Sequence, residues 1–173
     1  MKKSPFRKHL GIKMICLFCA LTLTLAGCTT HAPSPKEVLD AVCRSQPSLP
    51  AGRIYVLSAP SDDAKQLPPG WLASAFDQSL LRAALPMIKD AAFFSSYTRA
   101  CEFAIFLCQG VKGADAVSRL CLQRLNTLKL YWEGAENSDT PPQNASVTVR
   151  GSWVILCFCK DPEAALRAFR RTL

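Results

Sequence analysis

The residue types and spacings able to support chemistry are concentrated in a few places. Leu25-Ala26-Gly27-Cys28 closes a short apolar run and sets a thiol directly behind small side chains. Small residues leave the backbone there accessible, and a thiol at Cys28 is a nucleophile. Glu102 opens the apolar run Phe103-Ala104-Ile105-Phe106-Leu107, where an ionised carboxylate is costly unless it is paired. It is therefore either one half of a salt bridge, with Arg99 or Arg150 as candidate partners, or an acid that contacts a ligand. Cys157-Phe158-Cys159 puts two thiols on one face of a strand, where they can hold a soft metal, cycle between redox states or pack against a helix. A zinc site usually shows two ligand pairs at regular spacing, and the second pair is missing. Trp71, in Pro68-Pro69-Gly70-Trp71, is a candidate exposed aromatic lining a ligand groove, whereas Trp132 and Trp153 fit core periodicity better.

Several reaction classes are excluded. The histidines are His9 and His31, so nothing downstream can form a Ser-His-Asp or Cys-His catalytic group or a histidine-rich metal site. No phosphate-cradling glycine loop, paired catalytic carboxylates or nucleophile elbow is present. No catalytic residue, metal ligand or cofactor is assigned.

The start of the chain explains Cys28. Lys2, Lys3, Arg7, Lys8 and Lys13 precede an apolar run from Ile15 to Ala26, far short of the roughly 20 residues of a spanning helix. A basic start, a short apolar run and small residues at its end read as a signal peptide, and Leu25-Ala26-Gly27-Cys28 resembles the lipobox of bacterial lipoproteins. That resemblance implies cleavage between Gly27 and Cys28, acylation of Cys28 with palmitate-like chains, and anchoring in the cell membrane on its extracytoplasmic face. Each buried methylene adds about 0.8 kcal/mol to such an anchor. Secretory cleavage near Ala26 without lipid, and an uncleaved anchor, are the rival readings. The organisation expected is a signal peptide over 1–27, a lipidated N-terminus and tether over 28–35, and one extracytoplasmic α+β domain over 36–173.

Removing the leader changes the composition. It holds five of the 21 basic residues and none of the 13 acidic ones, so the rest carries 16 bases against 13 acids rather than the headline +8. No basic block interleaved with aromatics remains, and no nucleic-acid partner is expected. Arg167, Arg170 and Arg171 read as the solvated end of a helix or as a patch touching anionic lipid. Of nine cysteines, Cys16 and Cys19 leave with the leader and Cys28 carries lipid. Cys43, Cys101, Cys108, Cys121, Cys157 and Cys159 remain. An even number in an exported chain invites disulfides, but most sit in apolar periodic segments, where a free thiol behaves as a small hydrophobe. Buried thiols are the favoured reading.

Along the chain, Pro35 to Arg44 reads as a helix capped by Ser34, and Ile54 to Leu57 as an edge strand. Trp71 to Lys89 reads as a helix that Pro86 bends or divides. Ala91 to Tyr97 and Ala100 to Cys108 are two strands around a turn at Thr98-Arg99. The second is apolar on both faces and therefore central. Gln109 to Gly113 turns the chain into a helix from Ala114 to Trp132, with Val117, Cys121, Leu125, Leu128 and Trp132 at helical spacing. Glu133 to Asn144 is a polar loop. Ala145 to Arg150 and Ser152 to Lys160 form a strand pair around Gly151. A helix capped by Asp161, with Pro162 in its first turn, ends the chain. Two strand-strand-helix units follow one another, with Arg99 and Cys108 matching Arg150 and Cys159 at a common offset. This suggests a weak duplication or a merely shared architecture. The fold expected is α+β, an antiparallel sheet with helices packed on one face.

The run Glu102-Phe103-Ala104-Ile105-Phe106, the helix carrying Arg124, and Val149-Arg150-Gly151-Ser152-Trp153-Val154 resemble a family of small lipoproteins of Gram-positive anaerobes that pair a lipobox with a domain of unknown function. The likeness spans roughly residues 35 to 171, with more cysteine in this chain, and it implies no assigned activity. The function expected is a membrane-anchored binding or interaction module with Glu102 and Trp71 as candidate ligand contacts and an envelope protein as candidate partner. A cysteine-dependent thiol-redox protein or other envelope enzyme is the alternative.

Overall fold

Residues 32–133 and 142–173 are described by the computed structural model. The leader, Cys28 and the start of the tether lie outside the described residues, as does most of the polar loop after Glu133. In chain order the elements are α1 (Pro35–Arg44), β1 (Gly52–Val56), α2 (Trp71–Ala75), α3 (Gln78–Ala84), a 3-10 turn (Leu85–Met87), β2 (Ile88–Ser96), β3 (Glu102–Cys108), α4 (Gly110–Glu133), β4 (Ser146–Arg150), β5 (Trp153–Phe158) and α5 (Pro162–Thr172). Pro33–Leu173 forms one compact unit.

β3 is the central strand, as its two apolar faces require. β2 and β5 flank it and the sheet order is β1-β2-β3-β5-β4, with every neighbouring pair antiparallel. The α+β class holds. The placement of the helices on one face does not. Ala104, Phe106 and Cys108 point into a core shared with Phe93, Leu156, Phe158 and the α4 residues Val117, Leu120, Cys121, Leu125 and Leu128. Phe103 and Ile105 point the other way, into a second core with Phe94, Ile155 and Cys157 that α1 and α5 cover through Val38, Leu39, Val42, Ala165, Leu166 and Phe169. A strand apolar on both faces needs a cover on both, and the sheet is the middle of three layers.

This division also decides the duplication. A half-turn about the normal to the sheet carries the strands of β2-β3-α4 onto those of β4-β5-α5. It leaves α4 and α5 on opposite faces, so the units have opposite hands. Cys108 and Cys159, matched in sequence, accordingly belong to different cores. The similarity is shared architecture.

Local chemistry sets the element ends. Ser34 and Glu37 form a reciprocal capping box on α1, and the Asp161 carboxylate accepts from the Ala164 amide at 3.0 Å at the start of α5. The expected helix from Trp71 to Lys89 is broken earlier than Pro86. The Asp77 carboxylate accepts from the Leu80 amide at 2.9 Å and starts a fresh helix, while Pro86 sits in the 3-10 turn and Lys89 already belongs to β2. α4 begins at Gly110, not Ala114. Gly113 lets this first turn press on Met87 and Cys108, since a Cβ there would lie 3.2 Å from one Cβ and 3.3 Å from the other. Gly151, at φ +58°, makes the tight turn between β4 and β5. Among the described residues, no helix is long and apolar enough to cross a membrane.

Candidate functional site

Glu102 begins β3 on the α4 side of the sheet, opposite Ser95 of β2 and Phe158 of β5. Its side chain is 4% exposed, and its partner is Arg124 of α4. Arg124 Nε donates to Oε1 at 2.9 Å and Nη2 donates to Oε2 at 2.8 Å, a two-pronged pairing that fixes both planes. The candidate partners Arg99 and Arg150 do not fill this role. Arg150, at the exposed end of edge strand β4, instead donates through Nη1 to the Arg170 carbonyl.

The signal for Arg124 lay in α4 itself. Val117, Cys121, Arg124 and Leu128 form a row at spacings of four, three and four, facing one side of a helix. Three members are buried apolar residues, and the fourth is a cation where an apolar residue is expected. A cation in a helix's buried row and an acid in a central strand are each costly alone. Together they answer one another.

Above the pair lies a cavity of about 250 Å³. Ser95, Ser96 and Tyr97 from the end of β2 form one wall, and Thr127, Leu128, Tyr131 and Trp132 from the last turns of α4 form the other, with Cys101 beside Glu102. Tyr97 and Tyr131 are 62% and 68% exposed. Tyr131 stands edge-on to Trp132, ring centroids 5.5 Å apart. The Tyr97 hydroxyl shares a 2.7 Å hydrogen bond with that of Tyr55, and the Arg53 guanidinium lies 5.8 Å from the Tyr97 ring centre. The floor is thus a neutral, hydrogen-bonding ion pair and the rim is aromatic. Such an arrangement suits binding, since flat apolar faces and fixed polar groups converge on one space.

Trp71 is not part of this cavity. It is half-buried, with ring centroids 4.9 Å from Phe93, 5.6 Å from Tyr55 and 6.3 Å from Phe76. The Pro-Pro-Gly turn folds it down onto the sheet rather than out to solvent, and it closes the α4-side core. Trp132, assigned to the core by periodicity, also reaches the cavity because it lies in the last turn of the helix.

The cysteines pack as apolar residues. All six from Cys43 onward are free and buried. Cys157 and Cys159 share a face, as alternation requires, with their sulfurs 3.6 Å apart. The contact with Cys159, followed by burial, raises the Cys157 thiol pKa. Burial pushes Cys43 up to about 12 and Cys108 up to about 11, and it raises Cys101 and Cys121 as well. A redox nucleophile needs the reverse, an accessible thiol with a lowered pKa. Among the described residues, no group of three or more potential ligand side chains is arranged to hold a metal ion.

A larger cavity of about 1000 Å³ lies between the Gln46–Pro50 segment and the chain at Arg99–Cys101 and Cys159–Asp161. Its basic side chains, Arg99 and Lys160, are exposed. Among the described residues no buried charged side chain lines it, so the Glu102–Arg124 cavity is the better-built site. The chain matches no protein-family model, no curated protein and no solved structure, and the reading of this site rests on its own geometry.

Proposed function

We propose that this chain is a lipid-anchored binding module on the outer face of a bacterial cell membrane, as in the small lipoproteins its sequence resembles. The leader is removed before Cys28, Cys28 carries the acyl chains, and a proline-containing tether holds the domain near the bilayer. The Glu102–Arg124 cavity is the surface offered to a ligand or to an envelope partner. The single observation supporting a binding role is that cavity: a buried ion pair as floor and exposed tyrosines as rim. A desolvated pair adds little net stability, and here it presents fixed, charged hydrogen-bonding groups at the floor of an open cavity.

The test replaces Tyr131 with a photo-crosslinking amino acid in cells that make the anchored protein. The same residue at Lys36, on the far side of the sheet, is the control. A discrete adduct from position 131 and none from 36 is the expected result. No adduct, or equal capture from both, overturns the reading. Anchoring is tested separately. Cys28→Ala is expected to abolish labelling by a palmitate analogue and to release the protein from the membrane fraction or block its processing. Unchanged mass and membrane retention overturn it.

A further inference from the structure

Building on the reading of the Glu102–Arg124 cavity as a binding site, we infer that its ligand is an uncharged sugar ring, one pyranose of an envelope glycan. Charge is the first reason. Glu102 and Arg124 neutralise one another across two hydrogen bonds of 2.9 and 2.8 Å. An ammonium ligand would compete with Arg124 for the carboxylate, and an anion would meet a guanidinium already compensated. A neutral polyol asks for hydrogen bonds alone.

The pair supplies those bonds in both directions. A guanidinium carries five N–H donors and a carboxylate about four lone-pair sites, of which their mutual pairing uses two on each side. The remainder are fixed in direction and carry charge, which strengthens a bond to a hydroxyl. Ser95 Oγ donates to Glu102 Oε2 at 3.5 Å, which takes a third carboxylate site and leaves about one for a ligand hydroxyl. Adjacent hydroxyls on a ring can therefore donate to Glu102 and accept from Arg124 at once.

The rim supplies the other half of sugar recognition. The C–H face of a pyranose is flat and apolar, and it packs on an aromatic ring as other apolar groups do. Tyr97 and Tyr131, 62% and 68% exposed on opposite walls, present such faces beside the polar floor. At about 250 Å³ the cavity is smaller than the roughly 300–1,000 Å³ that holds a drug-sized molecule. It takes one ring, and the rest of a glycan extends along the surface.

The test is calorimetry on the full-length protein, purified from membranes in a detergent without a sugar headgroup. N-acetylglucosamine, its trimer and glucose are the sugar probes. Tetramethylammonium chloride and inorganic phosphate are the cation and anion probes. Saturable binding of at least one sugar is expected, weakened about tenfold by Tyr131→Ala and by Tyr97→Ala and unchanged by Lys36→Ala, with the thermal unfolding midpoint of the Tyr131→Ala protein unmoved. No binding of any sugar, or sugar binding indifferent to both tyrosine variants, overturns this inference. Tyr131-dependent binding of tetramethylammonium or phosphate in place of every sugar likewise overturns the uncharged-sugar inference. The wider reading survives these failures if the crosslinker at 131 still captures a discrete adduct, and falls with them if it does not.

Discussion

Arg124 grips both carboxylate oxygens of Glu102, and the two residues belong to different layers: one to the helix that covers the sheet, the other to the sheet's central strand. Side-chain exposures of 4% for Glu102 and 17% for Arg124 make this a largely desolvated pair. The cost of leaving one member alone therefore exceeds the net contribution of the two together.

Removing one partner is accordingly the damaging change. Arg124→Leu strands a buried carboxylate and is expected to cost about 3 kcal/mol of unfolding free energy. The double variant Glu102→Leu/Arg124→Leu is expected to recover most of that loss. Urea unfolding of the three proteins decides it. Single-variant losses below about 0.5 kcal/mol would place the pair in the solvent-exposed class.

The thiols predict a loss of stability in alkali. Cys43 and Cys108 are raised from an ordinary 9.0 to about 12 and about 11 by burial. Between those limits the folded chain keeps protons that the unfolded chain releases, so the stabilisation is complete below pH 9.0 and is lost as pH climbs through the folded values. Unfolding measured at rising pH should show stability falling above that point, with a shallower fall in Cys108→Ala. An unchanged slope in that variant would count against the assignment.

The same burial predicts protection from reagents. A thiol-specific aromatic disulfide should react with none of Cys43, Cys101, Cys108, Cys121, Cys157 or Cys159 at the rate of a free thiol, and with all six once the chain is unfolded. One rapidly reacting thiol in the native protein would restore the redox alternative.

Gly52 controls the attachment of β1. A Cβ at this position would lie 2.6 Å from the Phe94 ring and 2.6 Å from the Ser95 carbonyl oxygen. The carbonyl belongs to the paired strand and cannot step aside. Gly52→Ala is expected to destabilise by about 1–3 kcal/mol and to raise amide exchange across β1 before the rest of the sheet. Uniform exchange at wild-type rates would refute the close approach.

At the other end of the chain, Asp161 caps α5 through the Ala164 amide. Asp161→Ala should cost about 1 kcal/mol, and Asp161→Asn, which keeps the accepting oxygen, much less. Equal losses in the two variants would mean that charge, rather than the cap, carries the effect.

The sequence by itself determined much of the local structure. Ser34 and Asp161 marked helix starts because a side-chain acceptor beside free amides is a local device. Phe103 to Leu107 declared a central strand because apolar residues on both faces leave no side for water, and the cysteines declared their burial by sitting in the same periodic rows. Asp77 was locally legible as a cap as well, but the helical run around it concealed the break. Only the tertiary structure decided that α4 and α5 cover opposite faces, because the chain's path over a sheet edge is not written in periodicity. It also chose Arg124 over Arg99 and Arg150 for Glu102, by bringing a misplaced cation in a helix row over a misplaced acid in a strand. Trp71 was turned inward by packing on Tyr55, Phe76 and Phe93, since a large ring next to an open apolar surface is more stable covering it than in water.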